Sequence, residues 1–591
     1  MCSEGGEVSE GEKERSRKGQ GARRALRIRS SPLILLLFEW AEYPQSQTLH
    51  SLFLGFSLRR LRSLRGKKCL SASAHITSPL MSSPASESPA PTETAAAPLP
   101  ASIAAAPALI NVLLIGSGGR EHALAWRISQ SPLLGKLFST GCSNPGIASH
   151  ATPVPRDIPI SAKDPYQLSK FLAEHKINLV VIGPEDPLAE GLTDALTNEK
   201  FCKGLSWTPH VFGPTQAGAM LEADKSFAKE LMRGAAIPTA EARIFRDAEA
   251  ARRFIESRLR SSDPLLDAVF RAADDYSDQE QRRMFIDQEI YKKKDVAAAF
   301  NKARPDLPVI KASGLAKGKG VFVPSTLSES MTAIDRIMGK LEFGEAGRTV
   351  IIEERLPGRE VSVFALTDGR SIFILEPCQD HKRLGDAATG PNTGGMGSLC
   401  PTPALDSKLS DRIEREIILP TIDALKRETI EFRGVIYFGI MLTPGGPKVL
   451  EYNTRFGDPE CQVLMARWKS DVLPTLLACA QRKLDKAIID WHPGVAVSVI
   501  LASAGYPDSP RTGDVISGLE SAAKVPGVQV FHAGTKRLDN GDLVTSGGRV
   551  LAVTAIGADL QEARSRAYKA ANLIQFPGKQ MRTDIGTDIV G

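Results

Sequence analysis

The sequence has neither an apolar run long enough to cross a bilayer nor a closely spaced pair of cysteines. Its longest apolar run is Leu33–Phe38, far shorter than the roughly 20 residues that a membrane-spanning helix needs. Its eight cysteines are scattered without a C-x-x-C pair, which argues against a zinc ribbon and against a disulfide framework. We therefore expect no transmembrane helix and a reducing compartment.

Excess positive charge is also scarce over most of the chain. The formal net charge is +6, but residues 1–110 hold 14 Lys or Arg against 9 Glu and no Asp, which leaves about +1 for the other 481 residues. Proteins that bind nucleic acids usually carry a basic face, so this balance disfavours that class, although it leaves a local patch open. With 42% hydrophobic and 24% charged residues in 591, the composition is typical of a globular protein with three to five folded units.

The first 108 residues do not have the composition of a folded domain. Residues 43–86 contain no acidic residue but six Lys or Arg, and residues 82–108 are rich in Ala, Pro and Ser. Such leaders resemble organelle transit peptides, and we expect a plastid (chloroplast) address, with mitochondrion or cytosol as alternatives. Five early glutamates do not fit this signal, so either translation begins later, for instance at Met81, or the leader is atypical. A plain disordered tail is the alternative.

From Leu109 onward the pattern is that of a parallel α/β sheet. The apolar run Leu109–Ile115 predicts a buried strand, and a helix is expected over Arg120–Gln130. A second unit has a helix near Tyr166–Glu174 and the strand Ile177–Ile182. Strands that alternate with helices favour a sheet whose ligands lie at the carboxyl ends of its strands.

Further along, the pattern predicts one long helix, several short strands and a small closing domain. Thr215 can cap a helix that continues through Arg233. The expected strands and later helices are 309–311, 320–323, 350–353, 361–366, a helix over 409–427, a hairpin of 434–442 with 448–452, strands 495–501, 528–532 and 550–555, and a helix over 560–572.

The segment Gly116-Ser-Gly-Gly-Arg-Glu-His122 follows the first strand. Glycines in this position let the backbone approach an anion at a helix N-terminus. A phosphate-type ligand and a merely tight turn both stay open here. Binding of NAD is disfavoured, because the third glycine of the dinucleotide fingerprint would fall at Glu121.

The segment 311–321, which we call the glycine–lysine loop, contains three glycines and three lysines. Backbone N–H groups and ammonium charges together suit a polyphosphate. The loop is not a Walker A motif, because Gly318-Lys319 is followed by Gly320 rather than Ser or Thr. A solvated basic hairpin is the alternative.

The segment 451–460 begins at a predicted strand end with Glu451 and Asn453, which alternate onto one face. Two such oxygen ligands could hold Mg²⁺ against phosphates, whereas carboxylates on a surface loop are the alternative. The polar segments 379–383 and 390–397 are typical of ligand-positioning loops, though solvated turns remain open. His381 is expected to be a hydrogen-bonding residue and not a metal ligand.

Seven segments, taken in order, resemble the phosphoribosylamine–glycine ligases (glycinamide ribonucleotide synthetases) of the ATP-grasp superfamily. These are GSGGREHALAW, GPTQAGAMLEADKSFAK, IKASGLAKGKGV, IIEERLPGREVS, QDHKR, GPNTGGMG and RFGDPECQ. The resemblance implies an α/β ATP-grasp enzyme with an N-terminal parallel α/β (pre-ATP-grasp) domain and a small C-terminal mixed α/β domain. The implied division is a leader 1–108, a substrate domain 109–214, an ATP-grasp domain 215–490 and a C-terminal domain 491–591.

The resemblance also implies the reaction. ATP, glycine and 5-phosphoribosylamine would give glycinamide ribonucleotide, ADP and phosphate through glycyl phosphate, in purine synthesis, with Mg²⁺ or Mn²⁺. No nucleic acid or membrane partner is expected, and the chain would be a monomer or a small homo-oligomer. The alternatives are another ATP-grasp carboxylate–amine ligase, a biotin-dependent carboxylase subunit, or a non-catalytic nucleotide-binding protein.

Site residues are carried over from the family motifs one by one. Lys225 and Lys311 match phosphate-binding lysines, Glu451 and Asn453 match metal ligands, and Arg455 matches the residue that stabilises the acyl phosphate. ATP would further contact Gly314, Lys317, Gly318, Lys319, Gly320, Glu353, Glu354, Leu356 and the ribose-binding Glu360. The substrates would contact Asp380 (also taken as catalytic, with Lys311 and Arg455), Lys382, Asn392, Thr393, Gly394, Gly395, Gly118, Gly119 and Glu185.

The chain departs from the family over roughly residues 261–304, where about 45 extra residues, rich in Asp, Arg and Lys, intervene. A structureless loop of that length is unusual in a compact domain. We expect a surface excursion or an error in gene prediction such as a retained intron. Only a packed insertion would threaten nucleotide binding.

Overall fold

The computed structural model describes residues 108–198, 207–303, 307–316 and 319–587. The predicted leader lies outside the described residues, apart from Ala108, and so do Lys317 and Gly318 of the glycine–lysine loop. Among the described residues, none of the helices is both long and apolar enough to span a membrane.

The N-terminal part is a five-stranded parallel sheet with the strand order β3-β2-β1-β4-β5. Its elements are β1 (Ile110–Ile115), α1 (Gly119–Ile128), β2 (Leu134–Ser139), α2 (Pro145–Ala148), β3 (Thr152–Pro153), α3 (Tyr166–Glu174), β4 (Leu179–Ile182), α4 (Glu185–Ala189), α5 (Leu192–Thr197) and β5 (His210–Phe212). Both faces of β1 are buried, which explains its continuous apolar run. The carboxyl end of β1 leads into the glycine turn that precedes α1, as predicted.

The prediction of a single helix from Thr215 to Arg233 is wrong in one respect, because the segment forms two helices. These are α6 (Gln216–Ala223) and α7 (Lys225–Gly234). Thr215 caps the first, but Asp224 is extended and its side chain accepts hydrogen bonds from the first N–H groups of α7. Asp224 also forms a β-bridge with Gly314. The break thereby places Lys225 at the start of a helix beside the glycine–lysine loop.

The next part, which we call the small lobe, is a four-stranded antiparallel sheet with the order β6-β9-β7-β8. Its elements are β6 (Ala242–Phe245), α8 (Ala248–Ser262), α9 (Pro264–Ala273), α10 (Gln279–Lys292), α11 (Lys294–Ala303), β7 (Val309–Ala312), β8 (Val321–Phe322), α12 (Leu327–Ile334), a π-helical turn (Asp335–Gly339), a 3₁₀ turn (Gly344–Gly347) and β9 (Val350–Glu353). All the helices of the lobe pack on one face of this sheet.

The extra segment 261–304 is folded and packed, which corrects its prediction as a surface excursion, whereas an error in gene prediction stays a prediction. It comprises the end of α8 with α9, α10 and α11, whose apolar residues, among them Phe270, share one core with β7, β9 and α12. The insertion is therefore packed. It does not disturb the opposite face of the sheet, because strand side chains alternate: Ile310 and Ala312 enter this core while Lys311 points to the other side.

Phe270→Ala is expected to lower the free energy of unfolding by about 3–5 kcal/mol, because the fully buried ring would leave a cavity in the shared core. Urea unfolding followed by circular dichroism measures the change. The matched control is Met284→Ala on α10, where the side chain is 55% exposed and a change within about 0.5 kcal/mol is expected. Equal effects of the two substitutions would contradict a packed insertion.

The large lobe carries a second antiparallel sheet with the order β11-β10-β16-β17. Its elements are β10 (Arg359–Thr367), β11 (Ile372–Ile374), β12 (Gln379–Asp380), β13 (Arg383–Gly385), β14 (Thr389–Asn392), β15 (Gly397–Cys400), α13 (Ser407–Ile413), a π-helical turn (Glu414–Ile418), α14 (Leu419–Arg427), β16 (Gly434–Thr443), β17 (Gly446–Asn453), α15 (Glu460–Arg467) and α16 (Val472–Ala480). The predicted hairpin of β16 and β17 is confirmed.

The C-terminal part adds three strands to a sheet that two earlier strands complete, in the order β12-β15-β18-β22-β19. Its elements are β18 (Val495–Ala502), α17 (Leu519–Ala523), β19 (Val528–His532), β20 (Thr535–Arg537), β21 (Leu543–Thr545), β22 (Arg549–Gly557) and α18 (Leu560–Leu573). Strand β15 pairs with β18 from Gly397↔Val499 to Cys400↔Ala496. The predicted α/β fold class is confirmed, whereas the residue boundaries of the domains stay a prediction.

Candidate active site

The predicted phosphate-binding lysine of β7 lies opposite the end of β17. The Nζ of Lys311 is 3.0 Å from Oε2 of Glu353 and donates a hydrogen bond to the carbonyl oxygen of Leu450 (3.1 Å). Both Lys311 and Glu353 are buried. Because Leu450 directly precedes Glu451, this contact brings the small-lobe sheet against the predicted metal-binding strand of the large lobe.

A second buried lysine, Lys229, shares the same carboxylate. Its Nζ is 3.2 Å from Oε1 of Glu353 and donates to Oγ1 of Thr239 (2.8 Å). Burial lowers the pKa of Lys229 to about 8, against the opposing effect of Glu353. The sequence analysis missed this residue, although it lies one helical turn after Lys225 and so on the same side of α7.

Lys225 begins α7 and lies among charges of both signs. Burial lowers the pKa of Lys225, while the Glu451 carboxylate acts in the opposite direction and Lys311 adds to the lowering. A desolvated ammonium group of this kind gains from an anionic ligand. Lys225 and Lys311, predicted from separate motifs, are thus brought into one cleft.

Glu451 and Asn453 lie two residues apart on β17. Burial alone would raise the pKa of Glu451, but Lys382, Lys311 and Lys225 outweigh it and hold that pKa at about 2. The carboxylate is therefore ionised at neutral pH. Among the described residues there is no cluster of three His, Cys, Asp or Glu that could hold a metal alone. One anionic and one amide oxygen fit a cation that takes its other ligands from water and phosphate.

The predicted ribose-binding acid is paired with a predicted substrate residue. The Nζ of Lys382 is 2.5 Å from Oε1 of Glu360 and 3.6 Å from Oε1 of Glu451. Burial would lower the pKa of Lys382, but Glu360, Tyr437 and Glu451 together raise it well above its usual range. Lys382 therefore stays charged between the two carboxylates.

Arg455 is the centre of a buried ion-pair network. Its Nη2 is 2.7 Å from Oε1 of Glu222 and 3.2 Å from Oδ1 of Asn453, and its Nε is 3.2 Å from Oε2 of Glu185. Burial would raise the pKa of Glu185, but Arg455 and Arg120 lower it to about 2. The predicted Glu185 is thus joined to Arg455, while the sequence analysis missed Glu222 and Arg120, although both lie within quoted family motifs.

Asp380 lies next to the glycine-rich segment 390–397. Its Oδ1 is buried and has no hydrogen-bond partner in the part of the chain that the structure describes. Burial and the neighbouring Glu460 raise the pKa of Asp380 well above its usual range. Gly395 has φ +108°, and a Cβ there would lie 2.7 Å from this oxygen. The glycine therefore leaves the carboxyl group open to a small ligand.

The loop that contains Gly395 is fixed at several points. Oγ1 of Thr393 donates to the carbonyl oxygen of Lys382 (2.8 Å), and Gly394 N–H donates to the hydroxyl of Tyr506 (3.0 Å). Asn392 ends β14, which pairs with β13. The predicted residues 392–395 are thus held next to Asp380. His381 Nε2 accepts a hydrogen bond from Gly586 N–H (3.3 Å), as expected of a hydrogen-bonding residue.

The remaining residues that were predicted to contact ATP lie on the small lobe and at its junction with the large lobe. Gly314 packs against Ala346, because a Cβ added to Gly314 would lie 2.7 Å from the Cα of Ala346. The carbonyl oxygen of Gly320 accepts a hydrogen bond from Ala312 N–H. Glu354 Oε1 is 2.7 Å from Nζ of Lys448, and Leu356 follows in the non-regular segment before β10. Lys319 N–H donates to the carbonyl oxygen of Ala316.

Gly118 and Gly119 do not face the lysine cleft. They line a separate cavity of about 350 Å³, together with Asp458 and Arg549. The side chain of Asn144 links two walls of this cavity, because its Nδ2 donates hydrogen bonds to the carbonyl oxygens of Ser117 (2.9 Å) and His532 (2.8 Å). The cavity thus lies between the N-terminal glycine turn and the C-terminal part.

Three family models match the chain in sequence order. They are the N domain of phosphoribosylglycinamide synthetase over residues 110–222, its ATP-grasp (A) domain over 284–461 and its C domain over 496–588. A phosphoribosylamine–glycine ligase of Rhodopirellula baltica is 44% identical over 476 residues, which are 80% of this chain and 97% of the relative.

Two solved structures extend the comparison. The crystal structure of a phosphoribosylamine–glycine ligase from Thermotoga maritima matches with a TM-score of 0.58 at 30% identity, covering 81% of this chain and all of that one. The biotin carboxylase domain of a Hydrogenobacter thermophilus 2-oxoglutarate carboxylase matches with a TM-score of 0.54 at 15% identity, covering 80% and 91%. The second likeness concerns the fold alone.

Proposed function

The chain belongs to the phosphoribosylglycinamide synthetase family, and we propose that it joins glycine to 5-phosphoribosylamine with cleavage of ATP to ADP and phosphate. The product would be glycinamide ribonucleotide. The observation that carries the proposal is geometric: Nζ of Lys382 is 3.6 Å from the Glu451 carboxylate, Lys311 donates to the carbonyl oxygen of the preceding residue, and Lys225 N–H donates to the glycine–lysine loop. Cations and an ionised carboxylate in one buried cleft suit a metal–polyphosphate complex.

The chemistry requires an activated acid, because attack of an amine on a carboxylate would build a dianionic centre. A glycine carboxylate oxygen attacks the γ-phosphorus of ATP, forming glycyl phosphate as the bond to ADP breaks. The amine nitrogen of phosphoribosylamine then attacks the acyl carbon, loses one proton, and phosphate leaves. Enzymes accelerate such steps mainly by positioning and by stabilising charge.

The nucleotide would lie between the two lobes. Lys225 and Lys311 would bind its phosphates, with the glycine–lysine loop above them, and Lys311 is already held against β17 through Leu450. Adenine would meet the connection between the lobes at Glu353, Glu354 and Leu356. Glu360 would bind the ribose, which requires it to share or release Lys382.

A divalent cation, Mg²⁺ or Mn²⁺, fits the donor set of Glu451 and Asn453 and would supply neutralisation of phosphate charge. Arg455 hydrogen-bonds Asn453, so it lies where it could stabilise the acyl phosphate and the developing oxyanion. The unpartnered Oδ1 of Asp380 would accept a hydrogen bond from the ammonium group of glycine, and residues 392–395 would form the other wall of the glycine subsite.

An assay of ADP release by the full chain tests the proposal. We expect release that requires both glycine and phosphoribosylamine and that yields glycinamide ribonucleotide by mass spectrometry. Release with another amino acid and equal efficiency would favour a different carboxylate–amine ligase. A pure, folded protein that neither ligates nor hydrolyses ATP would overturn the proposal in favour of a non-catalytic nucleotide-binding protein.

For localisation, we propose a plastid, with mitochondrion and cytosol as the alternatives, on the composition of residues 1–108. The location of a fluorescent protein fused behind this segment tests it. The absence of nucleic-acid and membrane partners and a state no larger than a small homo-oligomer stay predictions.

A further inference from the structure

Lys229 is a buried charged residue to which the proposed chemistry gives no role. Its side chain is 4% exposed, and its Nζ donates hydrogen bonds to Oγ1 of Thr239 (2.8 Å) and to the carbonyl oxygen of Ala240 (3.4 Å). Thr239 in turn donates to the carbonyl oxygen of Val449 on β17 (2.7 Å). The ammonium group is thereby fixed where the segment before β6 meets the large-lobe sheet.

Glu353 on β9 lies between Lys229 and the predicted phosphate-binding lysine of β7. Its Oε1 is 3.2 Å from Nζ of Lys229, and its Oε2 is 3.0 Å from Nζ of Lys311. Within the described ranges, Oε1 has no hydrogen-bond partner. The charge of Lys229, and not a directed hydrogen bond, therefore balances this side of the carboxylate.

The charges of these three side chains add up to one net positive charge. With Lys229 charged, Glu353 is compensated, and the charge of Lys311 remains for a ligand. With Lys229 neutral, Glu353 and Lys311 cancel each other. A polyphosphate carries several negative charges, and in a buried cleft the loss of one opposing charge weakens its binding more than it would in water.

Lys229 can lose its proton under mild conditions. Burial and the neighbouring Lys311 lower its pKa to about 8, against the opposing effects of Glu353 and Glu354. Glu354 is itself paired with Lys448 of β17, at 2.7 Å. The charged form of Lys229 is thus the main form near about pH 7 and the minor form above about pH 9.

We propose that Lys229 is a positioning residue for ATP, whose charge compensates Glu353 and so leaves the charge of Lys311 for the nucleotide phosphates. Lys229 acts through these two side chains, so its effect falls on nucleotide binding and not on the chemical step. The inference rests on the proposed function, which gives the position of ATP between the lobes.

Lys229→Met tests this role, because it keeps an apolar stem and removes the charge. We expect the KM for ATP to rise about tenfold or more near neutral pH, while kcat at saturating ATP and the KM for glycine change less than about threefold. Lys170→Met is the matched control, because that lysine is 54% exposed on α3 and its loss should leave all three constants unchanged. Circular dichroism checks the fold of both variants.

The pH profile separates an effect of charge from an effect of packing. The KM for ATP of Lys229→Met, divided by that of wild type, should fall from about tenfold near about pH 6.5 to less than about threefold near about pH 9.5, because the wild type then lacks the same charge. This ratio cancels the titration of ATP and of other lysines such as Lys225. A ratio that is constant over this range, or a KM that Lys229→Met leaves unchanged, overturns the inference.

A double variant tests the charge count itself. Lys229→Met combined with Glu353→Gln restores one net positive charge, so its KM for ATP should be about threefold or more below that of Lys229→Met. No recovery overturns the inference. If Lys229→Met does not fold, the double variant decides, because it should bind ATP more tightly than wild type near about pH 9.5 and no more tightly near about pH 6.5.

Isothermal titration with the magnesium complex of adenylyl imidodiphosphate, an ATP analogue that resists hydrolysis, separates this inference from the proposed function. The same pattern of Kd values without ligation of glycine supports the role of Lys229 and overturns the proposed function. Ligation together with equal Kd values for wild type and Lys229→Met overturns the inference alone.

Discussion

Glu451→Gln is expected to lower kcat on the order of 10³-fold, the largest effect that we predict for a single substitution. The amide keeps the shape of the side chain but removes the one charge that Lys382, Lys311 and Lys225 hold ionised. It also leaves a cation at this site with no charged ligand from this strand. Because the pKa of Glu451 is about 2, this loss should be independent of pH between 5 and 9.

A magnesium titration of ADP release measures the effect, with circular dichroism to check the fold. Asp423→Asn is the matched control, because its carboxylate is 68% exposed on α14 and it should leave turnover unchanged. Normal turnover of Glu451→Gln at ordinary magnesium concentrations would contradict the proposed role. A raised magnesium requirement with partial recovery of kcat would support it.

Arg455→Lys is expected to lower kcat about 10²- to 10³-fold while changing the KM for ATP less than threefold. Lysine keeps the positive charge between Glu222 and Glu185, so the network is not left with two unpaired carboxylates. It cannot reproduce the planar fork that reaches Asn453 at the same time. The loss should therefore fall on the step in which charge develops and not on nucleotide binding.

Kinetics at saturating glycine and phosphoribosylamine, with ATP varied, test this expectation. Arg412→Lys provides a control, because that arginine pairs with Glu416 on the large-lobe helices away from the cleft. A loss of ATP affinity as large as the loss of kcat would argue against a role in the transition state and for a role in holding the nucleotide.

The strands were predictable because their apolar runs are local. The alternation of Ile310, Lys311 and Ala312 already separates a core face from a site face. The break at Asp224 was not predictable, because the sequence around it has the period of one continuous helix. Its cause is a bridge to Gly314, about 90 residues later, and contacts of that kind have no local signature.

The residues of the site likewise divide into those with a local sequence signal and those that only the fold reveals. Residues in glycine-rich or strongly polar motifs, such as Lys311 and Glu451, were found from the sequence. Lys229 and Glu222 lie on helices, where a charged residue is usually solvated, and only the fold reveals that both are buried against opposite charges. The insertion was misread for a related reason: its charged residues form exposed ion pairs such as Arg271 with Asp267, while its fewer apolar residues build the core.

The sheet that joins β12 and β15 to β18, β22 and β19 has a consequence for how the chain can be divided. Removal of the residues after 490 would remove β18, which pairs with β15 along Gly397–Cys400. That edge of β15 would then be unpaired, next to the loop that contains Gly395. The nucleotide-binding portion is thus no autonomous module. A gene fusion or split must carry the last hundred residues along with it.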